Sequence, residues 1–392
     1  MNELTILIPD ITGGVYHNAM NLARLLQQAQ YSSRLILTHQ TDGEGGARIT
    51  DLTGFDNQLF VFSIADNKYF LFKRLAALIS AQSEILILNN WVDYYLVTHR
   101  RFRQKVIGIV HGDYSYYYDL ARECEPRIDQ FVCVSPVIAA NLQRLLPQRK
   151  DDIVFIPAIV PDMPVQRQPD SGPHLRVIFV GRLTVEKGFN WLPEADRQLK
   201  EKGIHVRWTV VAPHSTGEYD EWLNSPDVRY IPYIRNQDIA EVYAGQDVIL
   251  LPSHAEGFPL SLLEAIKCGV VPVATRLPTL VDSLVRDGES GFLFAKDDVD
   301  TMTEILRRLD SDRPLLEKMS GQAKGLAESR YSEKMLLENW LRVLARESSG
   351  KNFDAPVTSA YDRLDHPWLP NSIARIIRRV RKGAGKLGKK GS

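Results

Sequence analysis

Short runs of aliphatic and β-branched residues alternate with amphipathic helical periods along almost the whole chain. That alternation is the mark of parallel sheets covered by helices. A parallel strand rejoins its sheet only through a long crossover, so each strand needs a helix-length connection behind it. The first series of strand-like runs is Leu4–Ile8, Ser33–Thr38, Gln58–Phe62, Ile85–Leu88, Val106–Val110 and Gln130–Val134, with helical periods such as Asn18–Gln28 and Phe70–Ala81 between them. The second series is Arg176–Val180, Arg207–Val211, Val228–Tyr230, Val248–Leu251 and Val270–Ala274. Five prolines stand between the two series, from Pro157 to Pro173, where neither a helix nor a central strand accommodates them. The sequence therefore predicts an α/β protein with two doubly wound domains, 1–165 and 166–332. A crossover helix and linker over 333–370 and a basic tail over 371–392 complete the expected organisation. Ligands of such sheets bind beyond the carboxyl ends of the strands, so a cleft between the domains is the expected place for chemistry.

At 392 residues, 44% of them apolar, the chain has enough material for two cores. No run approaches the ~20 consecutive apolar residues of a spanning helix. The apolar stretch Leu4–Ile8 stops at Pro9 and Asp10 and has no basic residues before it, so it reads as a buried first strand rather than a signal peptide. Three cysteines, Cys124, Cys133 and Cys268, are too few for a disulfide framework, and a reducing cytoplasm is the expected location. The formal net charge is zero, yet the last 22 residues hold eight basic side chains and no acidic one. An acidic body carries a basic tail, and by charge that body is no nucleic-acid binder.

The densest chemistry lies between Leu251 and Ala274. A strand ends at Leu251, a loop carries Glu256, Gly257 and Phe258, and a helix is predicted to start with Pro259 in its first position. Glu264 follows Glu256 by eight positions, which places one carboxylate in the loop and the other about one turn into the helix. Free N–H groups around Phe258, Leu260 and Ser261 make that helix start a ready anion site. An unrelated loop carboxylate and helix glutamate is the plainer alternative. Upstream, another strand runs into Gly181, Arg182, Lys187 and Gly188, and two cations at this spacing suit a diphosphate. Each cation alone reads as a solvated surface charge.

Taken together, Gly181-Arg182 with Glu186-Lys187-Gly188, Pro252-Ser253 with Glu256-Gly257-Phe258-Pro259, Glu264-Ala265 with Gly269 and Pro272-Val273, and Asp287-Gly288 with Gly291 resemble the retaining nucleotide-sugar glycosyltransferases of family 4. The first half matches mainly by layout, through Gly13-Gly14, His111-Gly112 and Val134-Ser135 at strand ends. The resemblance implies a GT-B fold: two Rossmann-like domains facing a central cleft, with a final helix crossing back. It implies that Arg182 and Lys187 hold the leaving diphosphate, that Glu264 accepts from the ribose hydroxyls, and that Glu256 faces the transferred sugar. His111 would lie across the cleft near donor sugar and acceptor, unless it only caps a strand end. Gly13 and Gly14 would let the backbone approach the donor, and Tyr233 would lie near the base. The donor would be a nucleoside-diphosphate sugar, UDP- or GDP-linked, with no cofactor and no metal. The acceptor would be a glycan or lipid-linked hydroxyl.

One stretch departs from the family pattern. Where a Gly-Gly pair and a glutamate are usual, this chain has Arg276, Thr279, Leu280, Asp282 and Ser283. That departure supports the rival reading, a catalytically silent nucleotide-sugar-binding or scaffolding subunit. A phosphorylase or a sucrose-type synthase on the same fold is a second rival. Asp298 and Asp300 have the spacing of a metal-binding pair but stand where helix caps stand. Tyr114, Tyr116, Tyr117 and Tyr118, and Asn89-Asn90-Trp91, read either as an acceptor platform or as packing. Ser348–Pro370 reads as loop. In the tail, Ile373, Ile376, Ile377 and Val380 recur at helical spacing with the arginines elsewhere, which suits an anionic membrane surface. An acidic partner or a tail without consequence are the alternatives.

Overall fold

A computed structural model describes residues 3–387 except 12, 43–51, 53, 170–171, 213–216, 233, 235–237, 278–280, 348–350 and 356–360. The chain divides into two compact units, 1–156 together with 337–392, and 157–336. Unit 1 is built on seven strands: β1 (Glu3–Pro9), β2 (Ser32–Gln40), β3 (Asp56–Phe62), β4 (Ser83–Leu88), β5 (Lys105–Val110), β6 (Gln130–Cys133) and β7 (Ile153–Phe155). Their order in the sheet is β3-β2-β1-β4-β5-β6-β7, and every pairing is parallel. Unit 2 has six: β8 (Leu175–Val180), β9 (Val206–Val211), β10 (Val228–Ile231), β11 (Val248–Leu251), β12 (Val271–Thr275) and β13 (Phe292–Phe294). These too are all parallel, in the order β10-β9-β8-β11-β12-β13. Both sheets have the α/β, doubly wound topology expected from the sequence.

Strands covered on both faces must be apolar at every position rather than at alternate ones. In β8, Val177 and Phe179 enter one apolar layer with Trp208, Val210, Leu250 and Val273, while Ile178 enters the opposite layer with Ile249, Leu251 and Ala274. Each sheet reverses its winding direction once, between β1 and β4 in unit 1 and between β8 and β11 in unit 2. Ligands of such sheets bind beyond the strand ends at this switch point. The Gly13 turn and Asn89 follow β1 and β4, and the Arg182 and Glu256 loops follow β8 and β11.

Some elements differ from expectation. The predicted helix Phe70–Ala81 runs instead over Lys68–Ala76, because Asn67 caps its start and the chain must turn through Ser80 to reach β4. Strands β7 and β13 are three residues each, too short to carry a periodic pattern. The helix Glu333–Ala345 leaves unit 2 and continues into unit 1. There the Lys105 ammonium donates to the carbonyls of Val343, Leu344 and Arg346 at its carboxyl end, where a cation is favoured. The described part of Ser348–Pro370 has no helix or strand, yet it is tied down. Lys351 donates to the Phe102 carbonyl and pairs with buried Asp129, and Arg127 donates to the carbonyls of Asn352, Phe353 and Ala355. The tail forms a helix, Asn371–Leu387.

Candidate functional site

In unit 2, strand β8 ends at Val180 and the Gly181 N–H still bonds to the Val211 carbonyl, so the chain leaves the sheet at Arg182. A tight turn follows over Val185–Lys187 and closes on Gly188 at φ 67°. A side chain there would lie 2.0 Å from the Pro252 carbonyl oxygen, so only glycine lets the β8 loop press against the β11 loop. The His254 N–H then bonds to the Glu186 carbonyl at 2.8 Å and fixes the two loops together.

This contact brings Lys187 onto Glu256. The Lys187 ammonium lies 2.9 Å from both carboxylate oxygens of Glu256, and the hydroxyl of fully buried Ser253 is 2.7 Å from Oε1. Glu256 is largely shielded, whereas Arg182 is mostly exposed and makes only a long contact to Glu186 at 3.5 Å. Lys187 is thus held by a shielded carboxylate, whereas Arg182, five residues before it in the same loop, has only the exposed Glu186 as a charge partner.

The helix after the loop runs Leu260–Lys267, with Pro259 as its cap rather than its first residue. The Leu260 N–H is taken up by the Phe258 carbonyl at 2.9 Å, which corrects its expected place among the free donors. Leu262 and Leu263 N–H groups bond back to Pro259, while those of Gly257, Phe258 and Ser261 donate to no described protein acceptor. Glu264 stands one turn in. Burial pushes its carboxyl above the ordinary range, against the opposing effect of the Tyr243 hydroxyl, which donates to it at 3.0 Å. Tyr233 lies outside the described residues.

In unit 1, Gly13 caps the helix Gly14–Gln28 in an extended conformation, and a side chain at Gly13 would meet nothing within 4 Å. The protein's own packing therefore does not demand this glycine. His111 follows β5 and is buried, its Nε2 2.8 Å from Asn89 Oδ1. The Asn89 amide nitrogen donates to the Leu7 carbonyl at 2.7 Å, so the oxygen is the atom that faces the imidazole. An amide oxygen only accepts, so Nε2 carries the proton and Nδ1 is left as an acceptor. Burial pushes the His111 pKa down to about 3, so the ring is neutral at physiological pH. Asn90 caps the helix Trp91–His99 with Asp93 in a reciprocal capping box, and the Tyr116 hydroxyl donates to Asn90. Tyr114 and Tyr116 are nearly half exposed, and Tyr117 lies against His111.

The remaining candidates take structural roles. Asp298 caps the helix Val299–Ser311 through the Thr301 N–H, and Asp300 accepts from Gln198. Among the described residues no group of three or more His, Cys, Asp or Glu side chains is placed to hold a metal. In the departing stretch, Arg276 pairs with Asp287, and Thr279 and Leu280 lie outside the described residues. Sequence reasoning gave Ser253 and Tyr243 no role. Ser253 is signalled by its place three residues before Glu256, whereas nothing in the pattern marks Tyr243.

Residues 12–162 match the pattern of Glycosyltransferase Family 4, and residues 174–312 match that of Glycosyl transferases group 1. The capsular polysaccharide biosynthesis glycosyltransferase CapM of Staphylococcus aureus is 26% identical over 182 residues, 44% of this chain and 47% of that protein. The chain thus spans about half the length of this curated relative. The crystal structure of Anabaena Alr3699/HepE in complex with UDP covers 88% of this chain and all of its own, with a TM-score of 0.72 at 17% identity. The pneumococcal O-GlcNAc transferase GtfA in complex with UDP and GlcNAc covers 88% of this chain and 99% of its own, with a TM-score of 0.70 at 16% identity.

Proposed function

This chain belongs to the GT-B glycosyltransferases, with a family 4 domain followed by a group 1 domain, and from that premise we propose that it transfers a hexose from a nucleoside-diphosphate sugar to a hydroxyl of a glycan or lipid-linked acceptor. The reading places the reaction in cell-surface polysaccharide or glycoconjugate synthesis, at the cytoplasmic face of a membrane. The observation that carries it is the Lys187–Glu256–Ser253 cluster at the switch point of unit 2, with exposed Arg182 and undonated backbone N–H groups beside it.

In this reading Arg182 and Lys187 take the diphosphate, offsetting the charge that develops as the sugar departs. Lys187 then shares itself between Glu256 and phosphate, which frees one lone pair of the carboxylate for the sugar. Glu264 exchanges the Tyr243 hydroxyl for the ribose hydroxyls, and His111 offers its Nδ1 to a sugar or acceptor hydroxyl. The transfer proceeds with retention of the anomeric configuration and without a metal. The leaving phosphate takes the acceptor proton on the face from which it departs.

Incubating the protein with a panel of UDP-, GDP-, ADP- and CMP-linked sugars and lipid extracts tests this. Release of one nucleoside di- or monophosphate, dependent on acceptor and unchanged by EDTA, is expected, with an α-linked product from an α-linked donor. Release abolished by EDTA, or an inverted product, contradicts the proposed chemistry.

A further inference from the structure

A helix on a protein surface ordinarily buries its apolar stripe and shows its charges to water. The helix Asn371–Leu387 does the reverse. Residues 371, 374, 375 and 378 share one face at about 100° per residue, and that face is the one docked on unit 1. Asn371 donates to Asp66 and accepts from the Asn67 N–H, and Ala374 is fully buried. Arg375 pairs with Asp66, whose side chain is 1% exposed, and Arg378 pairs with Asp362 and with fully buried Asp365. Burial opposes ionisation of Asp66, yet hydrogen bonds from Arg375, the Ser63 N–H and Asn371 outweigh it and hold the carboxyl below its ordinary value. Two of the arginines, Arg375 and Arg378, are therefore a latch to unit 1.

The opposite face is apolar and bare. Ile373, Ile376 and Val380 are 45%, 62% and 66% exposed. Trp368, just before the helix, is 73% exposed, and Ile64, two residues before Asp66, is 48% exposed. Arg379 and Arg381 are exposed and flank the apolar stripe on its two sides. Four further lysines follow in the sequence with no acidic residue among them. An apolar stripe bordered by cations, with an exposed tryptophan just before it in sequence, matches an anionic bilayer surface, where the side chains enter the acyl boundary and the cations meet lipid phosphates. Among the described residues no helix is long and apolar enough to cross a membrane.

We infer that this helix is a pre-docked membrane-binding element: the Asp66–Arg375 and Asp365–Arg378 pairs hold its polar face on unit 1 so that Ile373, Ile376 and Val380 are presented to an anionic lipid surface. The inference rests on the transferase reading only for what it brings to the membrane, the catalytic units to a lipid-linked acceptor. Binding itself needs neither donor nor turnover.

The test is co-sedimentation of the full chain with phosphatidylcholine vesicles with and without phosphatidylglycerol, at low and high salt. Binding to the anionic vesicles that weakens with salt is expected. The double variant Ile376→Glu, Val380→Glu is expected to lose at least about tenfold in binding, with an unchanged melting temperature because both positions are exposed. Arg379→Glu with Arg381→Glu is expected to lose a comparable amount. No binding to anionic vesicles, full binding by the Ile376→Glu, Val380→Glu variant, or capture of an oligonucleotide in place of vesicles would overturn the inference. Each readout is taken without donor, so it stands or falls apart from the transferase reading.

Discussion

Replacing Glu256 by glutamine is expected to lower acceptor-dependent release of the nucleoside phosphate about a hundredfold or more while nucleotide affinity changes only a few-fold. Removing one well-placed electrostatic group from a shielded site has an effect of about this size. Glutamine keeps the shape of the side chain and one acceptor for Ser253 Oγ, which now lies 2.7 Å from Oε1. What it loses is the charge facing Lys187 and the developing positive charge on the sugar. The split between kcat and nucleotide Kd is the discriminating readout. A loop that merely needed the Lys187–Glu256 pair for its fold would lose affinity, turnover and melting temperature together. Activity within a few-fold of the parent would remove Glu256 from the chemistry. A covalent sugar adduct at Glu256, found by mass spectrometry, would replace front-face departure by double displacement.

The second large effect is on stability. Asp247, just before β11, is fully buried and stands among three arginines. Arg176 donates to both of its oxygens at 2.8 and 3.0 Å, Arg167 approaches at 3.0 Å, and Arg313 lies 3.6 Å away. The backbone N–H of Arg176 adds a fourth partner at 2.9 Å. Burial opposes ionisation of Asp247, but these partners outweigh it and hold the carboxyl below its ordinary range. Asp247→Ala strands the cations at the start of β11, the strand that leads into the Ser253 and Glu256 loop, and is expected to destabilise unit 2 by about 3–5 kcal/mol. That corresponds to a fall of about 10 °C in its unfolding temperature. The sign with pH follows from the lowered value. The native carboxyl binds its proton less readily than the unfolded one, so the contribution is complete above the ordinary carboxylate pKa and disappears only as pH falls through the lower native value. Urea unfolding at neutral pH checks the size. A loss below about 1 kcal/mol would show that the arginines find water or other partners, Glu317 for Arg167 among them.

Parallel strands buried on both faces announce themselves, and for that reason the order of the longer strands from Leu4 to Ala274 was legible in the sequence, while three-residue β7 was not. The loops at their carboxyl ends were legible too, because glycine, proline and clustered charge interrupt apolar runs there. Partners distant in sequence were not. Tyr243 reaches Glu264 only because the helix Ile239–Ala244 packs beside the helix Leu260–Lys267, and nothing near Tyr243 encodes that. The tail shows the same limit from the other side. Its periodicity gave the helix and its two faces, but which face meets the body depends on Asp66, Asp362 and Asp365, far from it along the chain or in a segment read as loop. The Leu260 N–H was misplaced because Pro259 caps the helix instead of opening it, a shift of one residue that periodicity does not resolve.

The proposed transfer requires unit 2 to hold a nucleoside diphosphate between Arg182, Lys187 and Glu264. Isothermal titration of UDP, GDP, ADP and CMP into the parent protein, Arg182→Ala and Glu264→Ala tests it most directly. One nucleotide is expected to bind selectively, with or without EDTA. Arg182→Ala is expected to weaken it about tenfold or more through the lost charge-assisted contacts to phosphate, and Glu264→Ala through the ribose. A folded protein that binds none of the four, or binds one equally well in both variants, would contradict it.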